Sequence, residues 1–193
     1  KASLEELFAE AERRRFALWP NGTESAETIY KKILDADPGH SGALGALAEI
    51  AYYTGHFADA DEKARQALAR RAMDPEMLTL RGWILIAQGR PAEAVEPFSV
   101  ATRYEPGRRN GLVGLLWAHL AAGQARIAEG VSAQLMRLYP ADRWGRWLRA
   151  MLLRRTGRAK QAAEIVRGLL ADDPLWYRAN AEAVLLGMPT ALA

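Results

Sequence analysis

The stretch RGWILIAQGRPAEAVEPF, residues 81–98, decides the fold. It sets Trp83 beside a small residue, crosses Gly89 and ends in a run that alternates Ala with apolar side chains. Further on, GLLWAHLAAGQARIAEGV at 114–131 holds Trp117 at the same distance from Gly123, 34 residues after Trp83. Carried in both directions, that offset gives three ladders. Gly55, Gly89, Gly123 and Gly157 form one, and Ala26, Ala60, Ala94, Ala128 and Ala162 form the second. The third is Pro106, Pro140 and Pro174, with Pro38 in the first copy and Ala72 in the second. A fixed period of this length marks a stacked-repeat protein.

Each unit reads as two apolar-periodic helical segments, broken first at the Gly and then near the Pro. After the first helix the chain must reverse tightly, and Gly accepts the left-handed backbone without a Cβ penalty. Ala five positions later is small enough for two helices to approach closely. Gly82, Ala48 and Ala150 on first helices are expected to face Ala94, Ala60 and Ala162 on second helices. Pro ends the second helix because it has no N–H to continue the ladder. Pro97, about seven residues into its helix, is expected to bend it.

These residues resemble the tetratricopeptide repeats. The third unit carries the resemblance most closely, through Leu78, Gly82, Leu85, Gly89, Ala94, Phe98, Ala101 and Pro106, and departs from it at Arg81, where an apolar residue is usual. The resemblance implies an all-α, right-handed α-solenoid of antiparallel helical hairpins, with repeats at about 1–40, 41–74, 75–108, 109–142 and 143–176. A segment at 177–188 looks like a polar-faced capping helix. WPNGT at 19–23 interrupts the first unit, ARRAMDP stretches the second, and Arg146 and Arg149 occupy positions that are usually apolar in the fifth.

In such arrays offsets 2, 5, 9 and 12 of each unit line a concave surface. This mapping nominates Tyr52, Trp83, Ile86, Val113, Trp117, Leu120, Trp144, Trp147 and Met151 as a partner-binding groove, with Glu49, Glu76 and Asn110 on its rim. Half exposed, its four tryptophans would form an apolar patch of roughly 400 Å². Packing between helices is already supplied by Leu44, Leu47, Leu78, Leu85, Leu112, Leu115 and Leu153. The expected occupant is a protein or peptide, an amphipathic helix among the candidates. Aromatic residues at helical spacing also serve as core. A groove closed in that way leaves a spacer or oligomerisation domain of a larger regulator, enzyme or secretion machine. Tetratricopeptide domains that grip a terminal carboxylate carry Lys, Asn and Arg on successive first helices, whereas the matching positions here hold Gly45, Glu49, Leu80, Asn110 and Gly114.

The 193 residues carry a net charge of +3, unevenly spread. Residues 143–171 contain Arg143, Arg146, Arg149, Arg154, Arg155, Arg158, Lys160 and Arg167 against one acid, Glu164. This basic patch could meet an acidic partner or polyanion, although no nucleic-acid-binding motif accompanies it. No enzyme is expected. The chain has no Cys, its His40, His56 and His119 form no HExxH spacing, and neither a GxSxG elbow nor a phosphate loop appears. Neither a cofactor nor a metal is expected. No apolar run approaches the roughly 20 residues of a membrane span, and no targeting segment is visible. The chain begins at Lys and reads as a processed or excised part. Arg outnumbers Lys 21 to 5 and Ala reaches 37, in keeping with a bacterial source. Composition fixes no compartment.

Overall fold

A computed structural model describes residues 2–17 and 23–190. Of the WPNGT interruption, 19–22 lie outside the described residues. Among those described there are eleven helices and no strand. They are α1 (Leu4–Ala17), α2 (Thr23–Ala36), α3 (Ser41–Tyr53), α4 (Phe57–Arg70), α5 (Pro75–Ala87), α6 (Pro91–Tyr104), α7 (Arg109–Ala121), α8 (Ala125–Leu138), α9 (Arg143–Arg155), α10 (Ala159–Asp172) and α11 (Tyr177–Leu185). From α3 onward the first helices of successive units begin 34 residues apart, and so do the second helices from α2 onward. Only α1 leaves the frame, starting three residues early.

Local chemistry sets these boundaries. The Asp74 carboxylate accepts from the Glu76 and Met77 amides, each at 3.1 Å, and Asp142 accepts from Gly145 at 3.0 Å, capping α5 and α9. His40 Nδ1 accepts from the Ala43 amide at 3.1 Å and caps α3. Pro75 and Pro91 open α5 and α6, where a missing N–H costs nothing. At the other end of α3, α5, α7 and α9, the turn glycine is left-handed. Gly89 has φ +74°, its amide donates to Ile86 O, and the following Arg90 amide reaches Leu85 O. A Cβ at Gly89 would meet nothing within 4 Å, so the residue is required for its backbone and not for space. Pro97 is buried inside α6, which runs unbroken to Tyr104.

Two compact halves divide the chain, residues 1–105 and 106–193. In the first half, Ala48 and Ala51 of α3 pack with Ala60 and Ala64 of α4, as small residues at a close crossing should. Gly82 has a different neighbour: a Cβ there would stand 2.6 Å from the ring of Phe98, one turn beyond Ala94. Arg81, the departure from the family pattern, donates through Nε to Asp61 of α4 at 3.2 Å. A second polar network lies among α1, α2 and α3. The Tyr30 hydroxyl donates to Glu12, while Arg15 bridges Glu12 at 3.0 Å and Glu49 at 2.6 Å. Burial, then that bond to Glu12, pushes the Tyr30 phenol well above its usual range.

In the second half, Ala150 and Leu153 of α9 pack with Ala162 and Val166 of α10 and Ala183 of α11. Helix α11 begins in the repeat frame, but its left-handed Gly187 (φ +67°) comes one turn early, leaving nine residues where α9 has thirteen. Its polarity is the reverse of the polar-faced cap expected. Tyr177, Val184 and Leu185 are 60, 64 and 62% exposed, whereas Asn180 and Glu182 are buried. The inward polar groups have partners that account for this. Glu182 accepts from Arg154 Nε of α9 at 2.5 Å, and Asn180 Nδ2 donates to the Pro174 carbonyl at 2.8 Å.

Candidate functional site

The nine candidate groove residues are shared between the halves. In the first half, Tyr52, Trp83 and Ile86 are all partly exposed. Trp83 stands edge-on to the fully buried Phe98, with ring centroids 5.3 Å apart, so one part of the indole extends the core. Tyr52 contacts Tyr53 and Phe57 at 5.3 and 5.9 Å, and its burial raises the phenol's pKa.

The second half gathers four tryptophans. Trp117 of α7 and Trp144 of α9 are partly exposed and both touch Trp147, at 5.3 and 5.9 Å. Trp176, which precedes α11, lies 5.9 Å from Trp144 and 6.4 Å from Trp147. Edge-to-face contacts at these separations add to what area burial alone supplies. Trp147 is only 6% exposed, and Val113 and Leu120 are each 4% exposed. These three are core residues, not exposed groove positions. Met151 is partly exposed.

Spacing did not single out Trp176 or Arg178. Trp176 stands at the last position of the fifth unit, outside the groove offsets, and Arg178 belongs to a helix read as a cap. The guanidinium carbon of Arg178 is 4.9 Å from the ring centres of both Trp144 and Trp147, 5.0 Å from Tyr177 and 5.5 Å from Trp117. Arg143 covers Trp176 at 4.9 Å. Guanidinium groups at such distances from aromatic faces are attracted by the ring quadrupole.

Most of the basic candidates have internal partners. Arg143 pairs with Asp173 at 3.5 Å, Arg146 with Asp172 at 2.7 Å, Arg154 with Glu182, and Arg158 with Glu129. Arg155 donates to the Leu120 carbonyl at 2.7 Å. Arg149 and Lys160 are exposed. On the rim, Glu49 is held by Arg15, Asn110 accepts from Arg109 at 3.0 Å, and Glu76 is exposed. His119 is buried in α7 with its Nδ1 2.6 Å from Gln124 Oε1. Among the described residues no cluster of three or more His, Cys, Asp or Glu is placed to hold a metal ion. No helix among them is long and apolar enough to cross a membrane.

Residues 46–108 match the tetratricopeptide repeat family model. Among solved structures, YrrB, a tetratricopeptide protein with an unusual peptide-binding site, has a TM-score of 0.79 at 15% identity, covering 92% of this chain and 90% of its own. The chain carries the tetratricopeptide fold. PilF of Pseudomonas aeruginosa also matches at a TM-score of 0.79, with 22% identity over 95% of this chain and 84% of that one. In sequence, 146 residues are 30% identical to cellulose synthase operon protein C of Pseudomonas fluorescens (strain SBW25), which is 72% of this chain. The chain spans about a tenth of that relative, 11% of its length.

The fold also accounts for the fifth tetratricopeptide unit's unusual arginines. Arg146 extends over Gly168 of α10, where a Cβ would come 2.6 Å from the guanidinium, and reaches Asp172. A missing side chain on one helix thus makes room for a long one on the other. Arg149, at the second unusual position, points to solvent.

Proposed function

We propose that this chain is a protein-interaction module whose partly exposed first-helix tryptophans bind an apolar or amphipathic segment of a partner protein. One observation carries the reading. At offset 9, Trp83 and Trp117 remain partly exposed while their neighbours Ile84, Leu85, Leu116 and Ala118 are buried. Large aromatic side chains left part-exposed beside a finished core are suited to anchoring a partner, since they lose little conformational entropy on binding. Tetratricopeptide proteins with peptide-binding sites, YrrB among them by its description, support the choice of a peptide as ligand. Binding of a polyanion by the basic patch is less favoured, because five of its eight side chains already hold an internal acceptor.

Selection of a random peptide library on the full chain tests the reading. Enriched peptides should be apolar or amphipathic, and a folded Trp83→Ala, Trp117→Ala double variant should bind them at least about tenfold more weakly. Full binding by the folded double variant contradicts the proposal.

A second reading rests on the similarity to a short part of a much longer protein: the array serves as a spacer or docking arm within a larger chain. Light scattering would favour self-assembly over this role if mass rose with concentration in the absence of a partner.

A further inference from the structure

The aromatic cluster of the second half contains a cation that has no counter-charge among the described residues. Arg178 has four aromatic rings within 5.5 Å of its guanidinium carbon. In the fifth unit Arg143, Arg146, Arg154 and Arg158 are each paired with an acid, yet no carboxylate or other hydrogen-bond acceptor reaches Arg178 among the described residues. Its Nε is buried and unbonded, and so is the indole Nε1 of Trp147, a residue itself 94% buried by its 6% exposure. The side chain as a whole is partly exposed, which leaves the terminal nitrogens as the part that meets solvent. Two donors without acceptors thus lie in one cluster.

Stacking uses the face of a guanidinium and leaves its edge, with the N–H groups in fork geometry, for a planar acceptor. A carboxylate fits that edge bidentately. Four rings also hold the side chain in one orientation, so the ordering cost of binding is largely met before a ligand arrives. We infer that Arg178 is an anion-binding site for the side-chain carboxylate of a Glu or Asp in the partner segment, set next to apolar residues that rest on Trp117 and Trp144. This rests on the aromatic-surface reading above and specifies its partner as acidic as well as apolar. A side chain is favoured over a chain terminus because the cluster offers one unpaired guanidinium: the neighbouring Arg143 is already engaged by Asp173 and Trp176.

The test titrates the 193-residue chain with three pentapeptides: Ac-ALELA-amide, Ac-ALQLA-amide and Ac-ALQLA with a free C-terminal carboxylate. Nuclear magnetic resonance follows the Arg178 Nε–H and the tryptophan indole N–H signals. The Glu peptide should bind roughly tenfold more tightly than its amidated Gln counterpart and shift the Arg178 signal. The preference should vanish in Arg178→Gln. Thermal unfolding checks that this variant folds, and if it does not, Arg178→Lys decides, since it keeps the charge, loses the fork and should weaken the preference several-fold. Equal binding of the two amidated peptides overturns the anion site and leaves the aromatic surface standing. A preference that survives in Arg178→Gln also overturns the site. Arg178-dependent binding confined to the free-acid peptide overturns the side-chain assignment. Failure of all three peptides to shift any indole counts against both readings.

Discussion

Arg81 reaches Asp61 across 3.2 Å, from a position where a tetratricopeptide unit ordinarily carries an apolar residue. Asp61 lies on the preceding helix with its side chain only 11% exposed, and Arg65 and Arg90 stand further off at 3.6 and 3.8 Å. The pair links two adjacent repeats. Removing one partner of a desolvated pair costs more than replacing the pair, because the remaining charge is stranded. Asp61→Ala should therefore lower stability by about 1–3 kcal/mol, reduced from the fully buried case by the partial exposure of Arg81. Arg81→Leu should cost less, since Asp61 keeps two other arginines within reach. Urea unfolding of the two variants checks the order, and equal losses would contradict it.

The glycines divide into two kinds that mutagenesis can separate. Gly89 is left-handed with open space around it, whereas Gly82 lies on a helix against Phe98. Gly89→Ala should cost about 1–2 kcal/mol through backbone strain, and Gly89→Asn should recover part of it. For Gly82→Ala the cost should be about 1–3 kcal/mol through displacement of Phe98, and Gly82→Asn should be worse still. Thermal unfolding of the four variants is the measurement. Recovery by Asn at both positions would mean that Gly82 is not needed for space.

Tyr30 supplies a dependence on pH. Its phenol is neutral in the folded state to a higher pH than in the unfolded chain. The stabilisation is complete below the unfolded value of about 10 and is lost as pH rises beyond it, because the unfolded state ionises first. Wild-type stability should therefore fall between about pH 10 and 11 more steeply than that of Tyr30→Phe. Denaturant midpoints at pH 8 to 11 test this, and parallel curves would contradict the upward shift that burial and the bond to Glu12 give the phenol.

Glu182 holds the last helix. Its side chain is 3% exposed and accepts from Arg154 Nε. Glu182→Ala strands that arginine and should weaken α11 by about 1–3 kcal/mol. Hydrogen exchange should show faster exchange in α11 than in α9, and uniform acceleration through both would mean that the helix opens only with the rest of its half.

The repeat frame was legible because glycine turns and proline stops are local signals. The ladder of Gly55, Gly89, Gly123 and Gly157 fixed the first-helix ends, and all four glycines are left-handed. Asp74 and Asp142 then set the starts of α5 and α9. What spacing could not reveal depends on partners distant in sequence. Offset 5 nominated both Val113 and Trp147 for the groove, but depth below the surface is set by helices that pack over them, and both are buried. The polarity of α11 was misread for the same reason: Asn180 and Glu182 look like solvated residues until Pro174 and Arg154 are placed beside them. Arg178 carried one weak signal, since a basic residue beside Trp176 and Tyr177 forms an aromatic–cation triplet in sequence. The arginines at 143, 146, 154 and 158 read as a patch because their acids lie 26 to 30 residues away.

The central claim is that Trp83 and Trp117 are available to a partner. Acrylamide quenching of three single-tryptophan chains, retaining Trp83, Trp117 or Trp147 with Phe at the other five positions, measures that availability against an internal buried reference. Trp83 and Trp117 should be quenched several-fold more strongly than Trp147. Quenching of all three to the same low level would contradict the account and make Trp83 a core residue.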